Sequence, residues 1–156
     1  MTSFSFMDLR TVKRILVPTD FSDPSAEALA SAIALGQATN ATLDLVHVAY
    51  DTAYAVPPPI DVAVLPVDMG KVMERVNASL AQEMEQVRAA GLTCDSATPI
   101  GRPENEIVAR AKATHADLIV MGTHGRSGLA HALLGSVAER VVRHTPCPIL
   151  IVPKRA

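Results

Sequence analysis

The chain has 156 residues, a length that suits one domain and leaves little room for a second. Apolar residues make up 49% of it but aromatic residues only 3%, so a core must be assembled from Ala, Val, Ile, Leu and Met, as when helices are layered on a Val/Ile-rich sheet. A net charge of -2 with no basic block argues against nucleic acid or an acidic membrane surface as partner, and no apolar run approaches the ~20 residues that membrane insertion needs.

In chain order, residues 1–11 read as an N-terminal extension without the basic and apolar regions of a secretory leader, so a cytoplasmic location is expected. Arg14-Ile15-Leu16-Val17-Pro18 reads as a strand, and Thr19-Asp20-Phe21-Ser22-Asp23-Pro24 as a turn into a helix from Pro24 to near Thr39, with Asp23 as N-cap and Gly36 or Asn40 near the stop. A second strand runs from Thr42 to Val48, where His47 is expected to be a satisfied core histidine. Pro57, Pro58, Pro59 and Pro66 exclude a regular element across residues 51–68, an irregular loop of the kind that is often functional.

The stripe Val72, Met73, Val76, Leu80, Met84 and Val87 marks a long helix closed at Gly91, with Met69, Met73 and Met84 expected in its core face. Cys94 to Ile100 is a weaker strand, Gly101-Arg102-Pro103-Glu104 a turn into a helix carrying Ile107, Val108 and Ala111, and Asp117 to Met121 a buried strand. Ser136-Val137-Ala138-Glu139 has the form of a capping box opening a helix to about His144, and Pro148 to Val152 is a final strand. Cys94 and Cys147 have no CxxC spacing and read as free thiols. Five strands alternating with four helices describe a single-domain α/β fold with a mostly parallel, open sheet covered on both faces. Ligands in such sheets sit beyond the carboxyl ends of the strands, which here means Pro18-Thr19-Asp20, Val48 and the segment from Gly122 onward.

The segment Gly122-Thr123-His124-Gly125-Arg126-Ser127-Gly128, followed by Gly135-Ser136, suits a polyphosphate. Glycines let backbone amides approach oxygens, and a helix start adds unpaired N–H donors and a positive dipole end. It is neither a Walker A loop nor GxGxxG. The spacing Gly-x2-Gly-x9-Gly-Ser, after a strand ending Val-Met and before Cys-Pro-Ile-Leu-Ile-Val-Pro, resembles the ATP-binding branch of the universal stress protein family. The opening Ile15-Leu16-Val17-Pro18-Thr19-Asp20-Phe21-Ser22 matches that family equally well, so the resemblance covers residues 12–154 apart from the 51–68 loop.

The resemblance implies a Rossmann-like sheet of strand order 3-2-1-4-5 and a homodimer pairing residues 148–152 edge to edge, with a further protein partner of unknown kind. It places adenine against Pro18, Thr19 and the backbone of Val48, and Asp20 at the ribose or at the magnesium of Mg-ATP. Met121, Gly122, Thr123, Gly125, Gly135, Ser136 and Val137 would line and hold the phosphates, with His124 and Arg126 alongside; ADP or AMP would use the same seat. No paired carboxylates, nucleophile elbow or Walker B element appears, so an efficient ATPase is not expected. Three functions are thereby distinguished: a nucleotide-binding regulatory or stress-response protein, which the residues favour, a slow ATP hydrolase or nucleotidyl-transfer enzyme, and a nucleotide-independent adapter.

Overall fold

Strands buried on both faces carry apolar residues along their length, as the first strand does from Ile15 onward and the fourth throughout. A computed structural model describes residues 8–49, 68–123 and 134–153. After one 3-10 turn at Leu9–Thr11, the elements are β1 (Arg14–Pro18), α1 (Asp23–Thr39), β2 (Thr42–Val46), α2 (Met69–Ala89), β3 (Cys94–Ala97), α3 (Pro103–Ala113), β4 (Leu118–Gly122), α4 (Ser136–His144) and β5 (Ile149–Val152). They form a parallel five-stranded sheet in the order β3-β2-β1-β4-β5. Of the segment read as irregular, residues 51–67 lie outside the described residues, and Asp68 caps α2 by accepting the Lys71 amide at 3.2 Å.

Successive strand residues point to opposite faces, which divides the core in two. Ile15, Val17, Leu43, Leu45 and Val120 pack with Ala28, Leu29 and Ala32 of α1 and with Leu80 and Val87 of α2. Leu16, Val46, Ile119 and Met121 pack with Ile107 and Ala111 of α3 and with Ala138 and Val141 of α4. The second face also holds a charge. Asp44 on β2 has no solvent exposure, and its two oxygens accept the Nε and an Nη of Arg110 from α3, each at 2.9 Å.

Several boundaries differ from expectation for identifiable reasons. Ser22, not Asp23, is the N-cap of α1: its backbone is extended and its hydroxyl faces the Ser25 amide at 3.5 Å, while Asp23 lies in the first turn, where its charge complements the helix dipole. Asn40 ends the helix in the left-handed region, at φ 55°. As regular elements β2 and β3 stop at Val46 and Ala97, but bonds from His47 to Ala97 (3.1 Å) and from Ala49 to Pro99 (2.9 Å) carry the pairing on to an isolated bridge between Ala49 and Ile100. Met84 packs on the core as expected, whereas Met69 is 43% exposed at the first turn of α2.

Ser136 does not open a capping box. The Glu139 amide donates to the Gly135 carbonyl at 2.9 Å, which makes Gly135 the cap, and the Glu139 carboxylate is taken by Arg143 one turn further on, at 2.7 Å. Cys94 and Cys147 are both free thiols.

Candidate functional site

The five strands are not paired to equal length. The β1–β2 ladder runs to Pro18↔Val46 and the β4–β5 ladder to Gly122↔Val152, but the β1–β4 ladder holds only Ile15↔Leu118 and Leu16↔Ile119. The two halves of the sheet therefore part at its carboxyl edge. The parting falls between β1, whose connection winds toward β2 and β3, and β4, whose connection winds toward β5. That is the topological switch point, where open α/β sheets hold ligands.

One wall is the turn after β1. Pro18 and Thr19 are buried, and the Thr19 amide donates to the Val46 carbonyl at 2.9 Å. Phe21 takes φ 62°, a left-handed conformation that a bulky residue adopts only when its surroundings hold it there. Three contacts do so. The Phe21 amide donates to Thr19 Oγ1 at 3.1 Å, and its ring stacks on His47 with centroids 4.6 Å apart. His47 Nδ1 lies 2.9 Å from the Thr19 carbonyl oxygen, which can only accept, so this nitrogen carries the proton. The histidine has a partner, as expected, but it is half-buried and lies just past the end of β2 rather than within a buried strand. Asp20, half-buried, projects from this turn with Oδ1 accepting the Ser22 amide and hydroxyl at 3.1 and 2.5 Å.

Beneath the turn lies a carboxyl group that the sequence reading passed over. Glu83 of α2 is 9% exposed and accepts a hydrogen bond from Thr19 Oγ1 at 2.9 Å. Burial pushes its carboxyl above the usual glutamate range; the Thr19 bond pulls the other way, and the charge of Asp20 adds to the rise. The available signal was positional, since Glu83 falls on the helical stripe of Leu80, Met84 and Val87.

The opposite wall is the exit of β4. A Cβ on Gly122 would come within 2.8 Å of the Pro24 carbonyl oxygen, so this glycine lets the start of α1 pack against the strand end. The Thr123 amide donates to the Val152 carbonyl at 3.1 Å, and the Gly135 amide donates to the Thr123 carbonyl at 2.7 Å. That last bond brings the start of α4 beside the end of β4. Ser136 and Val137 occupy its first turn, Ser136 exposed and Val137 half-buried, and Gly135 supplies no capping side chain. The first turn of a helix has no intrahelical acceptors for its amides, which favours an anion there.

Of the residues singled out in sequence, Pro18, Thr19 and Asp20 thus stand on one wall and Met121, Gly122, Thr123, Gly135, Ser136 and Val137 on the other. Val48, half-buried, follows β2 and packs toward the α3–α4 face. His124, Gly125 and Arg126 lie outside the described residues. Among the described residues no cluster of metal-ligating side chains occurs, and no helix is long and apolar enough to cross a membrane.

Fold and site together define an open parallel α/β protein whose sheet parts at its switch point. The sequence profile of the universal stress protein family matches residues 11–153, and the chain belongs to that family. It is 37% identical over 142 residues to universal stress protein MJ0531 of Methanocaldococcus jannaschii, an alignment covering 91% of this chain and 82% of the relative. The solved structure of protein MJ0577, from the same organism, superimposes with a TM-score of 0.79 at 27% identity, covering 93% of this chain and 98% of the other. A universal stress protein in complex with cAMP superimposes with a TM-score of 0.67 at 28% identity, covering 92% of this chain and 98% of its own.

Proposed function

We propose that the protein binds an adenine nucleotide, ATP first among them, in the crevice between β1 and β4 and acts as a nucleotide-dependent regulatory protein. The observation that carries this reading is the parting of the sheet at its switch point, flanked by the start of α4. The cAMP complex of a relative supports the same class of ligand. On this reading adenine lies against Pro18, Thr19 and the Val48 backbone, and Asp20 meets the ribose or, with ATP, a magnesium ion. Because the Gly135 amide already serves Thr123, the phosphates meet the amides of Ser136 and Val137 and the Ser136 hydroxyl, with Gly122 and Thr123 setting the floor. His124, Gly125 and Arg126 complete the seat. Magnesium, when bound with ATP, would neutralise phosphate charge; on this reading Asp20 would meet it, and the described residues provide no dedicated cage.

The donor set suits holding a nucleotide more than turning it over, since among the described residues it offers no positioned base for an attacking water. Bound nucleotide then favours one arrangement of the two crevice walls, which a partner reads. Pairing of two copies along β5 belongs to the same proposal: β5 is an edge strand on which Leu150 is 40% exposed.

Calorimetric titration with Mg-ATP, ADP, AMP and cAMP tests the reading. Saturable binding is expected, weakened in Gly135→Val, where a branched side chain stands at the mouth of the seat. Absence of binding to all four ligands by folded protein at millimolar concentration refutes it.

A further inference from the structure

Glu83 occupies a place on α2 whose neighbours along the stripe, Leu80, Met84 and Val87, are core residues. One carboxyl oxygen, Oε1, receives the Thr19 hydroxyl at 2.9 Å; the other, Oε2, is sealed from solvent and has no hydrogen-bond partner among the described residues. No cation among the described residues pairs with it. The ionisable groups that act on or near it are Asp20 from the β1–α1 turn and Cys94 from β3; Arg88, further along α2, acts on Cys94, and His47 reaches Thr19 from β2.

A single neutral hydroxyl is too little to support a buried carboxylate. The neutral acid, by contrast, completes a chain in which every proton has a destination. Protonated on Oε1, Glu83 reverses the contact with Thr19: its O–H donates to Thr19 Oγ1 across the same 2.9 Å, and Thr19 Oγ1 still accepts the Phe21 amide at 3.1 Å and turns its own proton to Ser25 Oγ at 3.3 Å. Ser25 Oγ in turn donates to the Ser22 carbonyl at 2.9 Å. The chain thus starts on α2 and ends on the cap of α1, and Asp20 sits on the turn it spans.

We propose that Glu83 is a positioning residue of the nucleotide crevice: as a neutral hydrogen-bond donor acting through Thr19, it locks the left-handed turn at Phe21 and sets the direction in which Asp20 meets the ligand. This inference rests on the nucleotide-binding reading above. It assigns to the interior of α2 a part in ligand recognition, although Glu83 itself never touches the ligand.

The test is calorimetric titration of Mg-ATP into wild-type protein and the variants Glu83→Gln, Glu83→Ala and Thr19→Val, each first checked for a cooperative unfolding transition. The Gln amide donates to Thr19 as the neutral acid does, so Glu83→Gln keeps affinity within about twofold, whereas Glu83→Ala and Thr19→Val each lose about tenfold. Thr19→Val cuts the chain at nearly constant volume; because Thr19 also faces adenine in the proposed seat, it is its retained affinity that is decisive, and Glu83→Leu replaces Glu83→Ala if the latter does not fold. Wild-type affinity in Thr19→Val or in folded Glu83→Ala overturns the inference, and so does a Gln variant as weak as the Ala variant, because the donor would then not be what matters. Wild-type protein that binds no adenine nucleotide removes the functional reading and this inference together; full binding by the cut variants removes the inference alone.

Discussion

Removing Arg110 isolates a carboxylate that water cannot reach. Asp44 has no exposure, and both of its oxygens depend on the Arg110 guanidinium, at 2.9 Å each. Its register partner on β3 is Asp95, held in turn by Arg14 at 2.8 Å, so a second acidic side chain lies one strand away on the same face. Breaking a buried pair by deleting one member costs about 3–5 kcal/mol, and the neighbouring Asp95 keeps Arg110→Ala within that range. Asp44→Ala costs less, about 2 kcal/mol, because the Arg110 side chain is 28% exposed and its head can turn to water. Urea unfolding followed by circular dichroism reads the difference. With a slope of about 2 kcal/mol per molar, a loss of ~3 kcal/mol lowers the midpoint by ~1.5 M. The double variant Asp44→Leu/Arg110→Met, which replaces the pair with apolar volume, recovers most of the loss. A cost below ~1 kcal/mol for Arg110→Ala, or additive losses in the double variant, refutes the argument that the pair is held by mutual need.

Stability should also respond to pH through Glu83, whose carboxyl burial holds above the usual glutamate range. The folded state keeps this proton where the unfolded chain has released it, so the contribution is full below the unfolded pKa and is lost as pH rises through the folded one. Thermal melts should therefore show Glu83→Gln gaining on wild type as pH climbs across that window, and a difference independent of pH contradicts the assignment. Gly122→Ala forces a methyl group to within 2.8 Å of the Pro24 backbone, so it should cost about 1–3 kcal/mol in urea unfolding and weaken ATP binding by moving the two walls; unchanged values in both assays count against the packing role given to this glycine. The Cys94 thiol, pushed up to about 11 by burial, should react with iodoacetamide at pH 8 about a hundredfold more slowly in folded than in urea-unfolded protein, and equal rates would show that the site opens freely.

The elements of the fold were readable because their patterns are strong. Ile15-Leu16-Val17 and Leu118-Ile119-Val120 have no polar interruption, and the chain between them alternates periods, so a covered parallel sheet followed from the residues. Strand order did not follow from any pattern; it came with the family resemblance, since periodicity says nothing about which neighbour a buried strand chooses. The candidate site was legible in part. Asp20 and Gly122 stand at strand ends that any reader of α/β sheets would inspect, whereas Glu83 lies in another helix and reaches Thr19 only through the tertiary fold. Phe21 gave no warning either, because an aromatic residue is a poor candidate for positive φ until the His47 stack and the Thr19 hydroxyl are in place. The capping-box pattern at Ser136 misled for a related reason: Glu139 had a second suitor in Arg143, four residues on, which sequence spacing alone ranks no lower.

The bond from the Gly135 amide to the Thr123 carbonyl, 2.7 Å long, does more than bring α4 to the sheet. It ties Thr123 to Gly135, so the chain between these two residues closes a circuit at this joint. For a circuit of that kind each doubling of length adds only about 0.6 kcal/mol of closure entropy. Lengthening or exchanging the intervening chain should therefore leave the register of β4 with β5 untouched, which makes this joint a natural place to graft new ligand preferences onto an unchanged scaffold.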